Sequence, residues 1–332
     1  MGWWQVSADT LAGSRFVISP LAEATAGLLT LHRAVAAHPG ERAWLDRHRP
    51  AYAERLAGDP VTAALVRASL GRRWIADFFT SAPLSDAEPA FDEELDRIRQ
   101  TPAEVALADL AVALGHQAGG SARHPVPDIL RDRTDLAQRA AGLLDWVWTQ
   151  TTAASWPQRR RIIEADVIAR TAQLGRDGWA AALAGMSPGM RWLGEGRLQI
   201  NAYDNPPRDI SSGRLLFVPV TLQRGWISWD LPERYAVIYP CSGALAEAGR
   251  RPVPETLAAL LGPARARVLV LLDSPKSTTQ LVVLTGLGLG SVGGHLRILL
   301  DAGLLARRRS GRSVLYYRTQ AGDTLVAAQP RE

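Results

Sequence analysis

Residues 255–318 place their local signals in an order that few folds accommodate. Stretches 256–261 and 263–272 read as two short helices. Ser277-Thr278-Thr279-Gln280 has the form of a capping box and opens a helix carrying Leu281, Val282 and Leu284. A glycine turn at 286–288 leads to a further helix, on which Val292, Leu296, Leu299 and Leu300 share one apolar face. After Asp301-Ala302-Gly303 the spacing becomes that of strands, at 304–309 and 313–318 around a tight Ser310-Gly311 turn. Two helices, a turn, a helix and an arginine-tipped hairpin form the pattern of a winged helix-turn-helix.

Charge is concentrated in the same segment. Residues 250–320 hold 11 basic and 3 acidic residues, a net +8, whereas the whole chain carries +5 and the rest therefore −3. That asymmetry points to a polyanionic partner, and double-stranded DNA is the expected one. In such a motif the second helix enters the major groove, with Ser291 and His295 one turn apart and Arg297 beyond them. Lys276, Thr278 and Thr279 lie at the start of the preceding helix, where backbone N–H groups favour phosphate. Arg307, Arg308, Arg309 and Arg312 crowd the hairpin, so binding is expected to depend strongly on salt.

Residues 255–325 resemble the ArsR/SmtB-type winged-helix transcriptional regulators. The resemblance is carried by Ser277-Thr278-Thr279-Gln280-Leu281, by Ser291-Val292 with His295-Leu296-Arg297-Ile298-Leu299, by Asp301-Ala302-Gly303-Leu304-Leu305 and by Arg312-Ser313-Val314-Leu315-Tyr316-Tyr317. It covers about a fifth of the chain and implies a DNA-binding regulator acting as a homodimer. The preceding residues resemble the large uncharacterised N-terminal domain fused to such modules in actinobacterial regulators. Two departures stand out. Gly288, Gly290, Gly293 and Gly294 occupy positions where the family mostly carries polar readers, leaving few side chains for base contact. Metal-sensing members place a Cys-x-Cys pair where this chain reads Leu281-Val282-Val283-Leu284, so no metal and no cofactor are expected.

The fold class expected for the whole is α+β: a mainly helical N-terminal domain with a small β-sheet, followed by the winged helix-turn-helix. Residues 1–193 read as helical. Ser19-Pro20 caps one helix, Thr101-Pro102-Ala103-Glu104 forms a capping box for another, and further helices fit 41–57, 60–79, 128–150 and 157–185. From 194 to 245 come runs rich in β-branched and aromatic residues (198–203, 215–220, 226–229, 235–239), a sheet of three or four strands packed on the helices. Residues 246–254 read as a linker and 255–325 as the DNA-binding domain.

Other features carry weaker signals. Trp146, Trp148, Trp226 and Trp229 are candidates to border an effector pocket between helices and sheet, although tryptophans mostly pack in cores. Gly288-Leu289-Gly290-Ser291-Val292-Gly293 fits a dinucleotide-binding G-x-G-x-x-G, but only 39 residues follow Gly293, too few for a doubly wound sheet. His32, His38, His48, His116 and His124 lack metal-ligand spacing. Asp92-Glu93-Glu94 reads as a solvated helix face, with a catalytic carboxylate as the alternative, and Arg159-Arg160-Arg161 as a solvated helix start or a second DNA contact. A single cysteine, Cys241, excludes a disulfide framework and fits a reducing compartment. No apolar run nears membrane-spanning length, and the opening Met1-Gly2-Trp3-Trp4-Gln5-Val6 lacks a secretory pattern, so a cytoplasmic, non-membrane protein is expected, and the regulator reading implies that it is not an enzyme. Two alternatives stay open: an enzyme in the N-terminal region with an appended winged helix, and an interaction module whose winged helix no longer reads DNA.

Overall fold

A computed structural model of the chain describes residues 2–328, apart from 38, 84–88, 121–122, 184–185, 188, 204, 242–252, 273–274 and 311–312. The fold is α+β. The chain divides into two compact units, Met1–Ile163 with Val167–Cys241, and Ser242–Glu332 with Glu164–Asp166.

The first unit begins with β1 (Trp3–Gln5), α1 (Ala8–Gly13), β2 (Arg15–Phe16), α2 (Pro20–Arg33), α3 (Pro39–Ala57) and α4 (Pro60–Ser69). It continues with α5 (Phe91–Arg99), α6 (Ala103–Gln117), α7 (Asp128–Arg131), α8 (Leu136–Val147) and α9 (Trp156–Leu183). It ends in β3 (Arg191–Gly194), β4 (Arg197–Gln199), β5 (Arg208–Asp209), β6 (Arg214–Val220), β7 (Trp226–Asp230) and β8 (Arg234–Pro240).

Beyond an arginine at the first position of each, strands β6 and β8 are a continuous run of apolar and aromatic residues, the mark of strands covered on both faces. They pair in parallel over seven residues, from Arg214 opposite Arg234 to Val220 opposite Pro240. Alternate side chains then enter different cores. Leu216, Val218, Val220, Ala236 and Ile238 pack with the helices α2–α8, whereas Leu215, Phe217, Tyr235, Val237 and Tyr239 pack with Trp4, Val6, Leu183 and Met190. The sheet order is β2-β6-β8-β7, and a second sheet runs β3-β4-β1-β5.

Two expectations need correction. One small sheet confined to 194–245 is in fact two four-stranded sheets, and both recruit strands from the first sixteen residues, so 1–193 is not a purely helical domain. Three-residue and two-residue strands are too short to show a period, and only their pairing with β4 and β6 makes them strands. The helix expected over 60–79 stops at Ser69, because Leu70 bridges Ile75 across the turn containing Gly71.

Helix starts follow local chemistry where a hydroxyl or carboxylate is free to cap. Ser19 Oγ accepts from Ala22 N, and Asp59 from Thr62 N. The capping box expected at Thr101 does not form; Pro102 occupies the cap of α6 and Thr101 Oγ1 turns to the Arg97 carbonyl.

The second unit contains α10 (Glu255–Leu261), α11 (Pro263–Leu271), β9 (Lys276–Ser277), α12 (Thr278–Thr285), α13 (Leu289–Asp301), β10 (Leu305–Ser310), β11 (Ser313–Arg318) and α14 (Gln320–Ala327). The three strands form an antiparallel sheet in the order β10-β11-β9. Val268, Leu269, Leu281, Val292, Leu296, Leu299 and Leu305 form its own core. Most of the linker expected at 246–254 lies outside the described residues. Among the described residues no helix is long and apolar enough to cross a membrane, and no group of three His, Cys, Asp or Glu side chains could hold a metal.

Candidate functional site

The second unit presents an exposed surface built on α13. Val292, Leu296 and Leu299 turn inward, which forces Gly290, Gly293, Gly294 and Arg297 outward. A Cβ added at any of those three glycines would meet nothing within 4 Å, so the face is bare backbone flanked by open space. Ser291 is exposed and lies 3.3 Å from His295 Nε2 through its Oγ. Arg297 is exposed, with Asp301 one turn on at 3.9 Å. Between α12 and α13 the chain reverses at Gly286, whose φ of 72° is a conformation other residues rarely adopt.

The hairpin carries the cations. Arg307, Arg308 and Arg309 are exposed and pair across the ladder with Tyr316, Leu315 and Val314. Strand alternation puts Arg307 and Arg309 on one face and Arg308 on the other. Among the described residues none of the three has an ion-pair partner, unlike Arg318, whose Nε lies 2.8 Å from Asp323. Arg312 lies outside the described residues, as does the side chain of Thr279. Thr278 is partly exposed at the start of α12. Lys276 departs from expectation: it is 2% exposed, in a strand paired with Tyr316, which is the reverse of what a phosphate contact requires.

The first unit holds a cavity of about 640 Å³. Trp226 and Trp229 line it, together with Trp4 and Trp74. Trp146 and Trp148 do not. They pack against the helical core, Trp148 stacking on Phe91 at 4.5 Å and Trp146 lying 6.4 Å from Tyr52. Five arginines also line the cavity: Arg33, Arg72, Arg73, Arg208 and Arg224. The Arg208 guanidinium sits over the Trp229 ring at 4.4 Å, and Trp229 meets Trp74 edge-on at 5.4 Å. Trp229 Nε1 donates to Asp77 Oδ2 at 2.9 Å. Burial, with Asp109 close by, pushes the Asp77 carboxyl up to about 7. Burial also lowers the Arg33 guanidinium, reinforced by Arg224 and Arg72.

These arginines escape a reading of the sequence. The one local signal, Arg72-Arg73-Trp74 followed by Asp77, is masked there by its apparent continuation of a helix; the partners Arg33, Arg208 and Arg224 come from remote elements. Two other charged clusters prove structural. Glu94 is buried, accepting from Ser19 Oγ at 2.6 Å and Leu21 N at 2.9 Å, while Asp92 and Glu93 stay exposed. Arg159 is buried against Glu23 at 2.6 Å, so it is neither a solvated cation nor a DNA contact.

Compared with family models, curated proteins and solved structures, the chain matches none.

Proposed function

We propose that the chain is a DNA-binding transcriptional regulator of the ArsR-like type, acting as a homodimer, with the second unit as a winged helix-turn-helix and the first sensing a small-molecule effector. The observation that carries this reading is the set of three exposed arginines, without ion-pair partners among the described residues, on the hairpin that follows the exposed face of α13. In this reading α13 enters the major groove, with Ser291, His295 and Arg297 toward base edges and its glycine face against the backbone. Arg307 and Arg309 neutralise phosphates. Two identical units would match the two half-sites of a symmetric operator.

Fluorescence anisotropy with the fragment upstream of its own gene, against random duplex, tests the reading. Preference for the specific fragment is expected, with affinity falling steeply between about 50 and about 200 mM salt. Replacing Arg307 and Arg309 with alanine should weaken binding to all sequences alike, whereas His295→Ala should weaken the specific fragment more. Equal affinity for every duplex, or a flat response to salt, sinks it. A second reading is favoured by Leu289 and Ile298, exposed at 63% and 48% on α13: a protein-interaction surface in place of a DNA reader. Absence of duplex binding at low salt would decide for it.

A further inference from the structure

The cavity of the first unit is arranged around charges that its own residues leave unanswered. Asp77 is the one carboxylate among its described lining residues, against five arginines. Asp77 is already engaged by the Trp229 indole N–H. Burial, reinforced by the charges of Arg224 and Arg72, lowers the Arg33 affinity for its proton, a shift that a bound anion would oppose.

Their hydrogen bonds point the same way. Arg33 Nη2 donates to the Gly71 carbonyl at 3.3 Å, and Arg224 donates to the Gln223 carbonyl at 2.9 Å and to that of Val35. Yet Arg33 Nε and Arg224 Nε are buried with no acceptor among the described residues, and so is the side-chain amide Nε2 of Gln223. All three residues line this cavity. Buried donors without acceptors are rare in folded proteins, and these three belong to residues of one cavity wall.

The remaining wall selects what carries that acceptor. Trp74 and Trp229 meet edge-on, Trp226 adds further indole surface, and Arg208 covers one face of Trp229. A bare inorganic anion would leave this surface in water, whereas a flat ring would cover it. The volume lies within the range of small-molecule sites, about 300–1,000 Å³.

We propose that the cavity binds a small molecule consisting of a planar aromatic ring system with an anionic group, the anion held by Arg33, Arg224 and Gln223 and the ring laid against Trp74 and Trp229. A carboxylate and a phosphate share the required chemistry, so an aryl acid and a mononucleotide are its two sources. The proposal goes beyond DNA binding and stands whether or not the second unit meets a duplex.

Isothermal titration calorimetry on the full chain tests it with 2-naphthoate, indole-3-acetate and adenosine monophosphate. Each is run beside its uncharged counterpart, 2-naphthalenemethanol, tryptophol or adenosine, and beside inorganic phosphate. At least one aromatic anion should bind at one site per chain, about tenfold or more tighter than both its neutral counterpart and phosphate, the scale of one charge-assisted hydrogen bond. The naphthoate and indole arms against the nucleotide arm decide between the two sources. Arg33→Gln and Arg224→Gln should each lower that affinity about tenfold or more, with a thermal melt showing that the variant is folded. The comparison with neutral counterparts needs no variant, so a substitution that prevents folding leaves the test intact. If none of the three anions outbinds its neutral counterpart, or if both folded variants bind as the parent does, the proposal is overturned.

Discussion

At the scale of single residues, the first unit hides charges that look exposed in the sequence. Arg159 Nη1 reaches both Glu23 Oε1 at 2.6 Å and Thr221 Oγ1 at 2.8 Å, and Thr221 N donates to the other Glu23 oxygen at 2.8 Å. Removing one partner strands the other charge away from water. Arg159→Ala should therefore cost about 3 kcal/mol of stability, read from urea unfolding. Asp77 and Glu94 predict a pH dependence. Burial holds each carboxyl at about 7, against ordinary values of 3.8 and 4.5. Between those values the folded state keeps protons that the unfolded chain has released. Stability from this source is thus complete near pH 4 and falls as pH rises toward 7. Asp77→Asn should flatten that decline by up to about 1.4 kcal/mol per pH unit, measured as unfolding free energy across the window. An unchanged slope would mean that Asp77 does not carry the proton.

Among the elements, α13 sets stability against contact. Gly290, Gly293 and Gly294 lie inside a helix, where glycine costs about 0.5–1 kcal/mol relative to alanine, yet space for a methyl group is open at each. Gly294→Ala should raise the melting temperature of the second unit. If the bare face meets a duplex backbone, the same substitution should weaken duplex binding in anisotropy titrations. A gain in both would show that the face touches nothing in the complex. On the hairpin, replacing Arg307 and Arg309 with alanine should lower the slope of log affinity against log salt by about 0.9 for every phosphate that is no longer neutralised.

For the whole molecule, the distribution of cores matters more than length. The second unit's apolar core draws on residues between Leu257 and Val326 together with Val253. A fragment spanning 253–328 should melt cooperatively by circular dichroism, and a broad, non-cooperative loss of signal would contradict this. The first unit cannot be cut so simply. Its sheets join residues 3–5 and 15–16 to strands beyond 190, and deleting the first sixteen residues should remove Trp4 and Val6 from the second core and leave β4 and β6 with open edges. Loss of soluble protein on expression is the expected result.

Local chemistry places the helices between 255 and 301 and the hairpin of the last quarter, whereas β9 and α14 stand outside what the sequence led us to expect. Val292, Leu296 and Leu299 recur at helical spacing, Leu305–Ser310 and Ser313–Arg318 pair as a hairpin, and in the first unit Ser19 caps α2 with Pro20 in its first turn. Each of these depends on neighbours within a few positions. Lys276, Arg159 and Glu94 escape such reasoning because their burial is imposed by segments distant in the chain, which a charge in a sequence does not reveal. The two short strands of the first sixteen residues and the arginine-lined cavity have the same origin. Arg33, Arg72, Arg208 and Arg224 meet only because α2, the turn after α4 and the strands of both sheets converge, and that convergence follows from alternate side chains of β6 and β8 filling two opposite cores.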